Sequence, residues 1–134
     1  MSISTIRRKI RQYCKQINAP KRLMTVRSTA TGFVDPHVEI DDSGNHYVSW
    51  EKGREHERRT TEELDELLYW LMVNITFQMA LDYELHHRVP NQDFRKLLFE
   101  TQLKLLNKIN SDFHKRREEE INDILVDTPY KDIE

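Results

Sequence analysis

The chain has 134 residues, 37% hydrophobic and 33% charged, with 21 Lys and Arg against 23 Asp and Glu and a formal net charge of -2. This composition predicts one globular domain that can bury a core without staples, and it excludes a disordered chain or one that spans a membrane. A lone cysteine, Cys14, excludes an intrachain disulfide and a thiolate metal cluster and points to a reducing compartment, so the cytoplasm is the expected location.

The N-terminal MSISTIRRKI has no apolar run or small-residue cleavage site after its basic residues, so no secretory leader is expected. Residues 1–34 hold eight Lys or Arg and no Asp or Glu, leaving 13 basic and 23 acidic residues after them. Such asymmetry marks either an interaction surface or a basic helix folded against acidic neighbours. Ile3, Ile6, Ile10, Tyr13, Cys14 and Ile17 recur at three- and four-residue intervals, while Arg7, Arg8, Arg11 and Lys15 take the other face. This predicts an amphipathic first helix ended by Ala19-Pro20.

Short β-like segments follow at 23–26, 37–40 and 46–50, and a further one at 54–59. Residues 41–45 form a hairpin turn in which Gly44 supplies positive φ, and Lys52-Gly53 repeats the device. The expectation is a small three-stranded antiparallel meander. Gly32, Gly44 and Gly53 all have loop or turn explanations, and no phosphate-cradling glycine pattern is present.

Thr60 with Glu63 three residues on reads as the capping box of a long helix, with Glu62, Asp65 and Glu66 favoured by its dipole. The apolar residues from Leu64 to Leu81 lie on every face, as expected of a central core helix. The apolar region at 67–81 is broken by Asn74, Thr76 and Gln78 and falls short of the roughly 20 residues that cross a bilayer. Val89-Pro90 ends the helix, and Asn91-Gln92-Asp93 starts another with Phe94, Leu97, Leu98, Thr101, Leu105 and Ile109 at helical spacing. Asn110 or Ser111 caps a last helix carrying Phe113, Ile121, Ile124 and Leu125, stopped before Pro129. The fold class is therefore α+β: an N-terminal helix, a small antiparallel β-meander, then three helices with a long central core helix, all in one domain over residues 1–134. Residues 28–36 and the acidic tail 127–134 are the expected flexible pieces.

Six histidines invite a search for metal or proton-transfer chemistry. Glu84 and His87 form one ExxH on a helix, where a di-metal bundle needs two such pairs and two more glutamates. Glu84 is instead expected to pair with Arg88 at i+4. Asp35, Glu39 and Asp41 cluster near strands, and period two places Glu39 and Asp41 on one face, the solvated one. No serine lies in a nucleophile elbow, and Cys14 suits the core side of its helix. Hence no catalytic residue, metal or cofactor is expected. The alternative is a small nucleic-acid-binding module using Arg7, Arg8, Lys9, Arg11, Lys15, Lys21, Arg22 and Arg27 as a phosphate-contacting stripe. Against it stand a sequence pI near 6.3 and no aromatic residue interleaved on the basic face for base stacking.

Several segments in order resemble the immunity protein 63 family of bacterial polymorphic toxin systems. They are Pro36-His-Val-Glu-Ile-Asp, His46-Tyr-Val, Gly53-Arg-Glu, Asp65-Glu-Leu-Leu-Tyr-Trp, Tyr83-Glu-Leu-His-His-Arg and Gln92-Asp-Phe-Arg-Lys-Leu. Ile17-Asn-Ala-Pro, Gln102-Leu-Lys-Leu-Leu-Asn-Lys-Ile-Asn and Pro129-Tyr-Lys-Asp extend the likeness over nearly the whole chain. The resemblance implies a non-catalytic protein made beside a toxin that binds and inhibits a cognate toxin domain, by occlusion or by gripping its active site.

An inhibitor of that kind needs charged rims that steer encounter and a few aromatic or Arg anchors. The candidates are Trp50, Arg54, Glu55 and Arg58 on the last hairpin, with the acidic residues Glu118, Glu119, Glu120 and Asp123 a second region if the toxin is a basic nuclease. Trp50 and Trp70 also suit a core, Arg54 and Arg58 also suit a solvated strand face, and Glu84 with Arg88 is either a structural ion pair or part of the binding surface. The oligomeric state and the toxin's activity do not follow from the sequence.

Overall fold

The computed structural model describes residues 2–29, 36–51 and 53–133. The chain divides into two compact units, Met1–Met72 and Val73–Glu134, and one long helix contributes to both.

In the first unit, the Ser2 hydroxyl accepts from Thr5 N and opens helix α1, Ile3–Gln16. Its apolar stripe buries Ile6, Ile10 and Cys14 completely, each isoleucine stabilising by on the order of 1.5–3 kcal/mol. Burial also pushes the Cys14 thiol up to about 11 from its ordinary 9.0. Asn18, at φ 54, ends the helix before Pro20, as a short polar side chain tolerates the left-handed region. The strand expected at 23–26 does not form. Lys21–Leu23 is a 3-10 turn started by Pro20, which buries Leu23 and Val26 three residues apart, and only Arg27 makes an isolated parallel bridge to His37.

The meander is present: β1 (His37–Asp41), β2 (Gly44–Glu51) and β3 (Arg54–Thr61) pair antiparallel in the order β1-β2-β3. Gly44 takes φ +132, where a Cβ would stand 3.2 Å from both Thr60 Cγ2 and Thr61 O, so the turn requires glycine. Gly53 is likewise at positive φ, while its expected turn partner Lys52, with Gly32 and Asp35, lies outside the described residues. Central strand β2 buries both faces at 45–48. On one face Tyr47 meets Trp70 edge-on at 6.3 Å, and the Arg59 guanidinium stands 4.6 Å and 4.9 Å from the two rings.

Helix α2 runs Leu64–His86, later than the capping box at Thr60 predicts. Thr60 stays in β3 because His46 Nδ1 engages its hydroxyl at 2.7 Å, and Thr61 instead accepts from Glu63 N at 2.9 Å. No residue from 67 to 80 is exposed, as the all-round apolar pattern predicts.

The second unit holds the rest of α2 with α3 (Phe94–Ile109) and α4 (Ser111–Asp127). Asp93 caps α3 and Asn110 caps α4. Ala80, Leu98, Phe99 and Ile121 form the core, with Phe77, Leu103 and Leu125 packed against it. The buried face of α3 is Leu98, Phe99, Gln102 and Leu106, turned away from the predicted stripe, and Phe94 is 50% exposed. Gln102 sets that rotation: its Nε2 donates to Val73 O at 3.0 Å and to the Thr76 hydroxyl at 3.2 Å, while its Oε1 accepts from Arg117 Nε at 3.1 Å. The segment 128–133 is fastened rather than free. Arg95 donates to Thr128 O and Pro129 O, Asp93 accepts from Lys131 N, and Asp132 accepts from Asp93 N and Lys96.

Candidate partner-binding surface

The β2–β3 hairpin carries four of the predicted residues. All of Arg54, Glu55, His56, Glu57 and Arg58 are exposed, so this half of β3 buries neither face. Regular alternation would put Arg54 and Arg58 on one face. A bulge intervenes, because Ser49 pairs with Glu57 and Trp50 with Glu55, leaving His56 as the extra residue. Glu55 therefore shares a face with Arg58, whose Nη2 donates to Glu55 Oε1 at 2.7 Å and reaches Glu39 at 3.4 Å. The pair holds itself charged: the hydrogen bond from Arg58 lowers the pKa of Glu55, and Glu55 raises that of Arg58. Among the described residues Arg54 has no ion-pair partner; with Glu51, Glu55 and His56 it lines a shallow hollow of about 450 Å³. Trp50 is partly buried at the bulge, and Trp70 is buried.

The carboxylates of β1 each engage a buried histidine. His37 Nε2 donates to Glu39 at 2.7 Å, which with Arg58 lowers the Glu39 pKa, and His37 Nδ1 is buried without a partner among the described residues. Asp41 accepts from the Ser43 hydroxyl at 2.6 Å, from Ser43 N at 2.8 Å and from His46 Nε2 at 2.9 Å, which together hold it well below the usual carboxylate range. Serine and carboxylate thus meet the same imidazole nitrogen. A nucleophilic relay needs them on opposite nitrogens, so the cluster staples β1, its turn and β3 to β2 rather than activating Ser43.

The second unit presents a different surface where α2 turns into α3. Glu84 is 1% exposed and accepts from Arg88 Nε at 3.1 Å and Nη2 at 2.9 Å, a bidentate pair. His87 Nδ1 donates to Tyr83 O at 2.9 Å and its ring stacks on Tyr83 at 4.0 Å, so the ExxH residues serve different partners. Among the described residues no group of three His, Cys, Asp or Glu is placed to hold a metal ion. Beside the ion pair lie Leu85, Val89, Phe94 and Ile133, all exposed, and the last three border a hollow of about 440 Å³ with Arg88 and Lys131. On α4, Glu118, Glu119 and Asp123 are exposed, while Glu120 pairs with Arg116 and Arg117.

One predicted pair is therefore brought together, Glu84 with Arg88, while Glu55 joins Arg58 in a pairing not read from the sequence and Arg54 stands apart from Arg58, its expected companion. Sequence reading missed Glu39 as part of the hairpin network and Phe94 as a surface residue. Phe94 directly follows the cap Asp93 at the first helical position of α3.

The sequence model of a family described as Immunity protein 63 matches residues 41–123, more than half of the chain. The chain belongs to the Immunity protein 63 family. The match bears out the family resemblance over residues 41–123, a span that contains all six predicted contact residues, while the resembling segments at 17–20 and 129–132 lie outside it. Helix α1 and the turn after it lie outside the span matched to the Immunity protein 63 family. No curated protein and no solved structure matches the chain. Among the described residues no helix is long and apolar enough to cross a membrane.

Proposed function

We propose that this chain neutralises a cognate toxin by binding it, without catalysis of its own, and that the β2–β3 hairpin is a principal contact. Membership of an immunity protein family supports the role. The observation that carries it to a surface is the run Arg54, Glu55, His56, Glu57 and Arg58, exposed on both faces of a paired strand. A half-strand that buries neither face contributes little to its own fold, yet here Glu55 and Arg58 are already fixed by the bulge and by the Glu55–Arg58–Glu39 chain. Fixing them before encounter lowers the entropy lost on binding, and charge at the rim speeds association. The same charges guard an open sheet edge against pairing with other strands. In this reading the chain acts as one cytoplasmic domain without a cofactor. Arg54, Glu55 and Arg58 contact the toxin, Trp50 supports them, and Glu84 with Arg88 orders the apolar corner beside it.

Co-expression with the toxin domain encoded beside this chain tests the proposal. Survival of the host and a stable complex on size exclusion are expected, with Glu55→Arg weakening both. Continued killing with no complex overturns it.

A further inference from the structure

We infer that the groove between α1 and the segment that follows it is a second contact site, one that receives a carboxylate-bearing, partly apolar segment of the partner protein. The inference takes that partner to be the toxin and so rests on the reading above. Arg7, Arg11, Lys15 and Lys21 line the groove, Met24 and Val26 form its apolar floor, and its volume is about 530 Å³. Arg7 Nε donates to Val26 O at 3.1 Å and ties the two walls together.

Three observations point to an acidic occupant. Among the described residues none of the four cations has a carboxylate within ion-pair distance, and the first 34 residues of the sequence contain no acid. Arg7, Arg11 and Lys15 also follow one another at i, i+4 along one helix, a like-charge ladder that weakens the helix which bears it. Only Lys15, in the last turn, is relieved by the helix dipole. Such a ladder costs stability unless an anion neutralises it.

Geometry and floor distinguish a peptide from a nucleic acid. Rungs four residues apart on a helix stand about 6 Å apart, close to the roughly 6.7 Å between alternate residues of an extended strand. A segment alternating acidic and apolar residues would place carboxylates on the rungs and aliphatic groups on Met24 and Val26. A single-stranded nucleic acid would need aromatic platforms, and the groove has none.

The test titrates the intact protein with two fluorescent probes at about 150 mM salt, where long-range attraction is largely screened. One probe is a short peptide alternating Glu and Leu; the other is an oligothymidylate of matching length. Saturable peptide binding is expected, weakened about tenfold or more by Arg11→Glu with Lys15→Glu and unchanged by Arg54→Glu. Both groove positions are exposed, and a melting temperature no lower than that of the wild type verifies the fold of the double variant. Tighter binding of the oligothymidylate, or equal peptide binding by the double variant, overturns the inference. Toxin association reads the two proposals apart. A double variant that loses the peptide but binds toxin at the wild-type rate removes the groove from the toxin interface and leaves neutralisation standing; failure of the wild type to bind toxin removes neutralisation, while the peptide titration still decides the groove.

Discussion

The two units differ most in the apolar surface they expose. In the first, ion networks lie at the surface of the sheet, and Ile40 is the one large hydrophobic residue exposed among those described. In the second, an amide hub built on Gln102 and Thr76 is wholly buried, while Leu81, Tyr83, Leu85, Val89, Phe94, Ile124, Val126, Tyr130 and Ile133 are exposed. Exposed charge mainly sets how fast and how selectively a partner is met, whereas exposed apolar area sets how long it stays. On the proposed reading, the difference would divide these tasks between the two units.

The contrast breaks most readily at the buried hub. Gln102→Ala removes the acceptor of Arg117 Nε and the amide donor to Val73 O and the Thr76 hydroxyl, and a loss of about 2–3 kcal/mol in chemical denaturation is expected. Glu39→Gln, at the half-exposed counterpart in the first unit, is expected to cost under about 1 kcal/mol. Comparable losses at the two sites would erase the distinction.

Next in size are the binding effects. Arg54→Glu should slow toxin association about tenfold at low salt, with the gap closing as salt is raised and the dissociation rate little changed. Phe94→Ala should do the reverse, raising the dissociation rate about fivefold with association unaffected, as loss of a modest apolar anchor does. Stopped-flow association and surface dissociation traces separate the two, and exchanged phenotypes would refute the division of tasks.

The smallest effect concerns acid. The folded pKa of Asp41 is depressed below its ordinary 3.8, first by the Ser43 hydroxyl and then by His46. A depressed carboxylate contributes stability that is present above the unfolded pKa and is lost as pH falls through the folded one. Asp41→Asn should therefore lower the melting temperature by its full amount near neutral pH and by less as pH drops below 3.8. A difference independent of pH would show that the turn, not the charge, is what Asp41 supplies.

Much of this architecture was legible. Ile6, Ile10 and Cys14 announce α1 by spacing, Gly44 marks its turn, and the all-round apolar run at 67–80 marks α2. Two of the features that escaped reading share one cause, a polar side chain used inside the fold. Gln102 turned the buried face of α3 because its amide is satisfied by groups distant in sequence, and a stripe drawn through apolar residues passes it by. Thr60 was claimed by His46 from across the sheet, which moved the start of α2. The bulge at His56 has no glycine to betray it, so the regrouping of Glu55 with Arg58 appeared only with the strand register. Of the candidate site, the residue types were readable and their grouping was not.

Cys14 turns this small protein into its own clock. Its thiol is wholly buried and burial pushes its pKa up to about 11, so at neutral pH an alkylating reagent has neither access nor thiolate to attack while α1 is seated. Each labelled molecule thus records one moment at which the first helix came away, and with a single cysteine in the sequence the record has no second writer. Mass spectrometry over time would then time that opening directly, and a partner seated in the neighbouring groove would be seen as a clock that runs slow.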